Sequence, residues 1–266
     1  MLRTRLRAVR TAIPLRTLRA PRRGALNVRA ILLDIEGTTT PVAFVYRTLF
    51  PYARRRLHQY LTLHGDAPAN QELWQRLARE RETETQCEGL PEWNDATTES
   101  RDDSIARYAE WLMDRDRKSP ALKELQGRIW EEGYATGELV GDVYEDVPRA
   151  FDRWRRAGLG IGIFSSGSVL AQRLLFSRST VGDLTPFLTW YFDTSVGAKI
   201  ERASYERIAA VIDSAPPEIL FVSDAVPELD AARAAGLQTR LCRRPGNAPA
   251  PEHAHRSILN FDEIAV

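Results

Sequence analysis

The run Ala30-Ile31-Leu32-Leu33 stops on Asp34. Apolar residues without alternation fit a strand buried on both faces of a parallel sheet. A carboxylate ending such a strand lies at the sheet's carboxyl edge, where open α/β sheets bind their ligands. Glu36 follows, then Gly37 and Thr38-Thr39-Thr40. Residues i and i+2 of an extended chain point the same way, so Asp34 and Glu36 are expected to face one cavity. Gly37 lets the backbone turn sharply around whatever sits there. Such a pair suits chemistry in which one carboxylate attacks an electrophile such as phosphorus and the other carries the proton.

From residue 142 onward the pattern alternates between helix and strand. Helices are expected over 147–157, 169–177, 204–213 and 228–235, the last closed by Gly236. Strands are expected over 159–164, 190–192, 219–222 and 238–242. Joined to the strand at 30, they predict an α/β fold with a parallel, Rossmann-like sheet covered by helices on both faces. Residues 42–140 read differently. Leu49, Tyr52, Leu57, Tyr60 and Leu61 recur at helical spacing, as do Leu73, Trp74 and Leu77, then Ile105, Tyr108 and Leu112. A helix start at 97–103 and a helix from Leu122 to about Tyr134 complete a helical insertion. The expected division is a basic, disordered arm over 1–28, an α/β core over 29–41 and 141–266, and a helical cap over 42–140.

Charge is unevenly spread. Residues 1–29 hold nine arginines and no acid, which leaves 28 Lys+Arg against 36 Asp+Glu, hence −8, in the remainder. The body is therefore acidic, with no nucleic-acid partner expected. The arm is expected to lie outside the fold, with a mitochondrial transit peptide as the alternative. No apolar run approaches the roughly 18 residues of a membrane span, so a cytoplasmic protein, monomeric by default, is expected. Cys87 and Cys242 match no metal-ligand spacing and read as free buried thiols of a reducing compartment. His253 and His255 sit in a Pro-rich turn and are expected to face solvent.

Two further strand ends carry polar residues. Ile163-Phe164 runs into Ser165-Ser166-Gly167-Ser168. Ser165 and Ser166 offer hydroxyls, and Ser168 suits the N-cap of a helix whose free N–H groups form a phosphate seat. Phe221-Val222 runs into Ser223-Asp224, with Glu228 one turn beyond. An aspartate there, near Asp34, completes a hard-oxygen site for Mg²⁺. Lys199 lies in a Gly-containing loop between strand and helix, where a point cation can neutralise phosphoryl charge. Singly each of these has a bland explanation as a turn, a cap or a surface charge. Their order (acid pair, hydroxyl, lysine, acid) matches the active edge of one parallel sheet.

That ordered set resembles the haloacid dehalogenase superfamily. Asp34-Ile35-Glu36-Gly37-Thr38-Thr39-Thr40-Pro41 resembles the first motif of its enolase-phosphatase (acireductone synthase) family, in which Glu replaces the usual second Asp. Ser165–Ser168, the run from Asp116 to Gly127, and Arg244-Pro245-Gly246-Asn247-Ala248 resemble that family too, and the likeness spans residues 29–266. Ser223 stands where the family often has Thr. The resemblance implies enolisation and then dephosphorylation of 2,3-diketo-5-methylthiopentyl-1-phosphate in methionine salvage, through an aspartyl phosphate. It implies Asp34 and Glu36 as catalytic residues and Ser165, Ser166 and Lys199 as substrate-binding residues. It also implies Asp34, Glu36 and Asp224 around one Mg²⁺ per chain, Glu36 through its backbone carbonyl. A general Mg²⁺-dependent small-molecule phosphatase of the same superfamily is the alternative. Residues 88–95 and the helix after Asp116 are expected to contact substrate as a lid.

Overall fold

The computed structural model describes residues 27–84 and 87–266. The expectation for the arm falls almost wholly outside them. Six strands form one parallel sheet: β1 (Ala30–Leu33), β2 (Gly160–Phe164), β3 (Trp190–Phe192), β4 (Ile219–Ser223), β5 (Gln238–Cys242) and β6 (Ser257–Ile258). Their spatial order is β3-β2-β1-β4-β5-β6. The chain runs outward from β1 through β2 to β3, then returns to build β4 on the other side. The crevice beyond β1 and β4 is therefore the switch point at which such sheets take ligands. The expectation of five strands misses β6. It is two residues long, too short for any pattern, and is held by Leu241 N–H to Arg256 O (3.0 Å) and Arg243 N–H to Ile258 O (2.8 Å).

Helices cover both faces. Alternation within the strands decides which side chains each face buries. Ile31 and Leu33, Ile161 and Ile163, and Leu220 and Val222 point to one side with Phe151 and Trp154 of α6 (Asp146–Arg156) and Phe176 of α7 (Val169–Ser177). Leu32, Phe164 and Phe221 point to the other, against Tyr205 and Ile208 of α8 (Arg202–Ile212) and Leu229 of α9 (Val226–Ala234).

Between β1 and α6 lies an all-helical block. It opens as α1 (Val42–Phe44), passes through a π-helical turn (Val45–Leu49) into α2 (Phe50–His64), and continues as α3 (Pro68–Thr83), α4 (Thr98–Asp114) and α5 (Pro120–Thr136). Pro51 explains the π turn. Its ring would clash with the carbonyl four residues back in an ordinary helix, and the Phe50 N–H instead reaches the Val45 carbonyl. Thr97 and Ser100 make a reciprocal capping box at the start of α4, and Ser119 caps α5. Entry and exit of the block meet: the Tyr144 N–H donates to Thr39 O at 3.0 Å. No described helix is long and apolar enough to cross a membrane.

Two smaller expectations are overturned. His255 is buried rather than solvent-facing, because its ring bridges Thr239 Oγ1 (2.8 Å) and Asp230 Oδ1 (3.1 Å) between β5 and α9. Cys242 is buried, but Cys87 is only half-buried, since its loop leaves the thiol near the surface against Glu84 Oε2 (3.1 Å).

Candidate active site

β1 delivers Asp34 to the edge, where it is 5% exposed. Its N–H is tied to Val222 O (3.0 Å), and its own Oδ1 accepts from the Ile35 N–H (2.8 Å), which fixes the carboxylate's rotamer. The Thr39 hydroxyl folds back on the Asp34 and Ile35 carbonyls (both 3.2 Å) and closes the turn that carries Glu36. Gly37 has φ +65°, and a Cβ there would run into the Asp224 carboxylate and Asn247 Oδ1. Glycine is required at this position for its backbone and for its lack of bulk.

Lys199 arrives from the loop between β3 and α8 and is 7% exposed. The first turn of α8 pins that loop: the Ser204 hydroxyl donates to Ala198 O (2.8 Å), and Tyr205 OH to Lys199 O (2.6 Å). Lys199 Nζ then bridges Asp34 Oδ1 (2.6 Å) and Glu228 Oε2 (2.7 Å). The Ser223 oxygen lies 3.2 Å from Asp34 Oδ2 and 2.9 Å from Glu228 Oε2, and accepts from Ala225 N–H. Glu228 thus belongs to the constellation. Its place one turn after Ser223-Asp224 was visible in the sequence, but its lysine partner was not.

Negative charge exceeds positive here. Burial, then Asp34 and Glu36, push the Asp224 carboxyl up to about 7. Burial and Asp34 push Glu228 up to about 7 as well. Glu36 is raised by burial and by Asp34, against a hydrogen bond from Tyr46 of the π turn. Burial alone would lower Lys199, yet Asp34 and Glu228 hold it above the usual lysine value. Tyr46 is a residue that sequence reasoning missed, because it is an exposed side chain that no apolar spacing marks.

Ser165 and Ser166 end β2 on the same edge. The Ser165 oxygen accepts from Gly167 N–H (3.1 Å), which leaves its hydrogen free to donate; Ser166 is exposed, and Ser168 caps α7 through Ala171 N–H (3.2 Å). The helical block reaches this edge through α5, whose Lys123 lies 3.4 Å from Thr194 Oγ1. Residues 88–95, in contrast, contact α3 and α4: Pro91 O accepts from Arg81, and Trp93 meets Tyr108 edge-on at 6.3 Å.

No three His, Cys, Asp or Glu side chains converge as a ready metal cage among the described residues. The adjoining side-chain donors are hard oxygens, the Asp224 carboxylate against Gly37 and the Asp34 carboxylate close enough to raise the Asp224 pKa. Excess negative charge, a side-chain-free Gly37 and a buried, unpartnered Asn247 Oδ1 beside it fit a hydrated divalent cation.

Comparison with known proteins gives one answer. The haloacid dehalogenase-like hydrolase family matches residues 28–236. Enolase-phosphatase E1 of Synechococcus elongatus is 51% identical over 241 residues, covering 90% of this chain and 98% of the relative. That of Sorangium cellulosum is 45% identical, covering 91% and 99%. The crystal structure of the UTR4 protein of Saccharomyces cerevisiae superposes with a TM-score of 0.71 at 34% identity, covering 88% of this chain and 99% of that one. With these likenesses spanning both the sheet and the helical block, the chain belongs to the enolase-phosphatase family of haloacid dehalogenase-like hydrolases.

Proposed function

We propose that this enzyme enolises 2,3-diketo-5-methylthiopentyl-1-phosphate and then removes its phosphate, releasing acireductone in methionine salvage. Kinship with enolase-phosphatases supports the substrate. The observation that carries the chemistry is the pairing of a fixed, buried Asp34 with Lys199 at the switch-point edge.

Asp34 is the nucleophile. Its rotamer is locked by Ile35 N–H, so attack on phosphorus costs little reorganisation. One Asp34 oxygen forms the new P–O bond as the ester P–O bond breaks. Glu36 protonates the departing oxygen. Burial and the Asp34 charge raise its carboxyl above the usual carboxylate value, which favours the protonated form this step needs. Glu36 then takes a proton from the water that cleaves the aspartyl phosphate, which frees phosphate and restores Asp34. Lys199, Ser165 and Ser166 hold the phosphorylated substrate, with Lys199 turning from Asp34 toward phosphoryl oxygens. Asp34, Asp224 and the backbone carbonyl of Glu36 would hold one Mg²⁺, which would offset the repulsion of anionic carboxylate and phosphate. Residues 42–140 act as a cap on a core of 29–41 and 141–266, excluding water and reading the methylthio end. The enzyme works as a cytoplasmic monomer.

The test is substrate preference. With Mg²⁺, phosphate release from the diketone should exceed that from glucose 6-phosphate by about 10³-fold in kcat/KM, a gap of about 4 kcal/mol. Equal turnover of both would make the protein a general phosphatase.

A further inference from the structure

The turn after β5 carries a polar group that the chemistry above leaves unused. Arg244, 7% exposed, anchors this turn through both oxygens of Asp146 (2.8 and 2.9 Å) and through Thr38 O (3.1 Å). Asn247 closes it, its N–H donating to Arg244 O (3.2 Å). The Asn247 side chain then crosses to the catalytic turn, where Nδ2 donates to Gly37 O (2.9 Å) and Cys242 O (3.3 Å). Both partners are carbonyl oxygens, so the amide nitrogen must face them and the orientation of Oδ1 is settled.

Oδ1 is buried and has no partner. It is not aimed at a void of the core. A Cβ built on Gly37 would meet Oδ1 and the Asp224 carboxylate together, so both oxygens flank one point. Asp224 and Asn247 also line the same cleft, of about 620 Å³. A buried acceptor with no donor is costly. Here it is held in place by two hydrogen bonds from its own amide nitrogen, beside carboxylates short of positive charge. The missing donor is most simply water on a cation.

We propose that Asn247 is a positioning residue of the cation site, its amide oxygen accepting a hydrogen bond from water carried by a divalent ion beside Asp224. This rests on the Mg²⁺ reading above. Outer-sphere partners of this kind are worth about 10–100-fold in metal affinity.

The test is Mg²⁺ titration by calorimetry of the full-length protein, with no substrate present. Asn247→Ala should bind Mg²⁺ about 10–100-fold more weakly, with an unchanged far-ultraviolet spectrum in EDTA. Asn247→Asp keeps the oxygen, loses the clamp on Gly37 O, and should bind within about threefold of the parent or tighter. Should the alanine variant fail to fold, Asn247→Ser takes its place with the same expected loss. Unchanged affinity in the alanine or serine variant overturns the proposal. So does equal weakening in the aspartate variant, which would reduce the amide to a clamp. Asp224→Asn should abolish binding. Full binding there would overturn the cation reading itself, and this inference with it.

Discussion

Two buried ion pairs lie side by side at one end of the sheet, and they are built on opposite terms. Arg244 meets Asp146 with two parallel hydrogen bonds, gives two more N–H groups to the Thr38 and Leu259 carbonyls, and stacks on Tyr144 and Phe261 (4.3 and 4.8 Å). Asp146 also accepts from Phe261 N–H (2.7 Å). One positive charge faces one negative charge, and the guanidinium's donors are well used. Lys199, in contrast, serves Asp34 and Glu228 while Glu36 and Asp224 crowd the same space. A balanced pair holds a scaffold. An unbalanced cluster holds excess negative charge, which the proposed cation would offset.

The comparison breaks most directly at Asp34. Asp34→Asn should cut Mg²⁺-dependent phosphate release by at least about 10³-fold. Its melting temperature in EDTA should stay level or rise, because one of several crowded carboxylates is gone. A marked fall in melting temperature would put Asp34 with the scaffold. Arg244→Met should do the reverse and lower the urea-unfolding free energy by about 3–5 kcal/mol, leaving Asp146 buried and unpaired. Arg244→Met combined with Asp146→Asn should lose less than Arg244→Met alone. A loss equal to the single variant's would show that packing, not charge balance, sets the value of the pair.

The smallest effect sharpens the contrast through pH. Burial and the neighbouring Asp34 and Glu36 push the Asp224 carboxyl from its ordinary 3.8 up to about 7 on folding. Between these values the folded state binds more protons, so stability falls as pH rises through that window. The metal-free parent should lose melting temperature from pH 5 to 8, at about 2–4 °C for each kcal/mol, and Asp224→Asn should lose less. Mg²⁺ should restore the parent at pH 8 and bind more weakly below pH 7, where Asp224 takes up its proton. Identical slopes in the two proteins would remove Asp224 from the cluster.

What was legible in the sequence was local. An apolar run that breaks on a polar residue names a strand end, and Asp34, Ser165 and Ser223-Asp224 all announce themselves so. Lys199 shows through its glycine-bearing loop. The rest depends on folding distance. Arg244 and Asp146 are 98 positions apart, and Asn247 reaches across 210 to Gly37. Tyr46 meets Glu36 from the start of the helical block, where no strand-end pattern marks it. His255 looked wet because its neighbours are prolines and polar residues, and β5 and α9 enclose it from outside that window.

The hydrogen bond from Tyr144 to Thr39 has a consequence for how such chains diversify. It ties the start and finish of the helical block together, so the chain leaves and rejoins the sheet at one place. No described residue of that excursion pairs with a strand, so the sheet's ladders close without it. Substitutions in the block away from Tyr46 and Lys123 should accordingly alter what covers the strand ends more than the strand ends themselves.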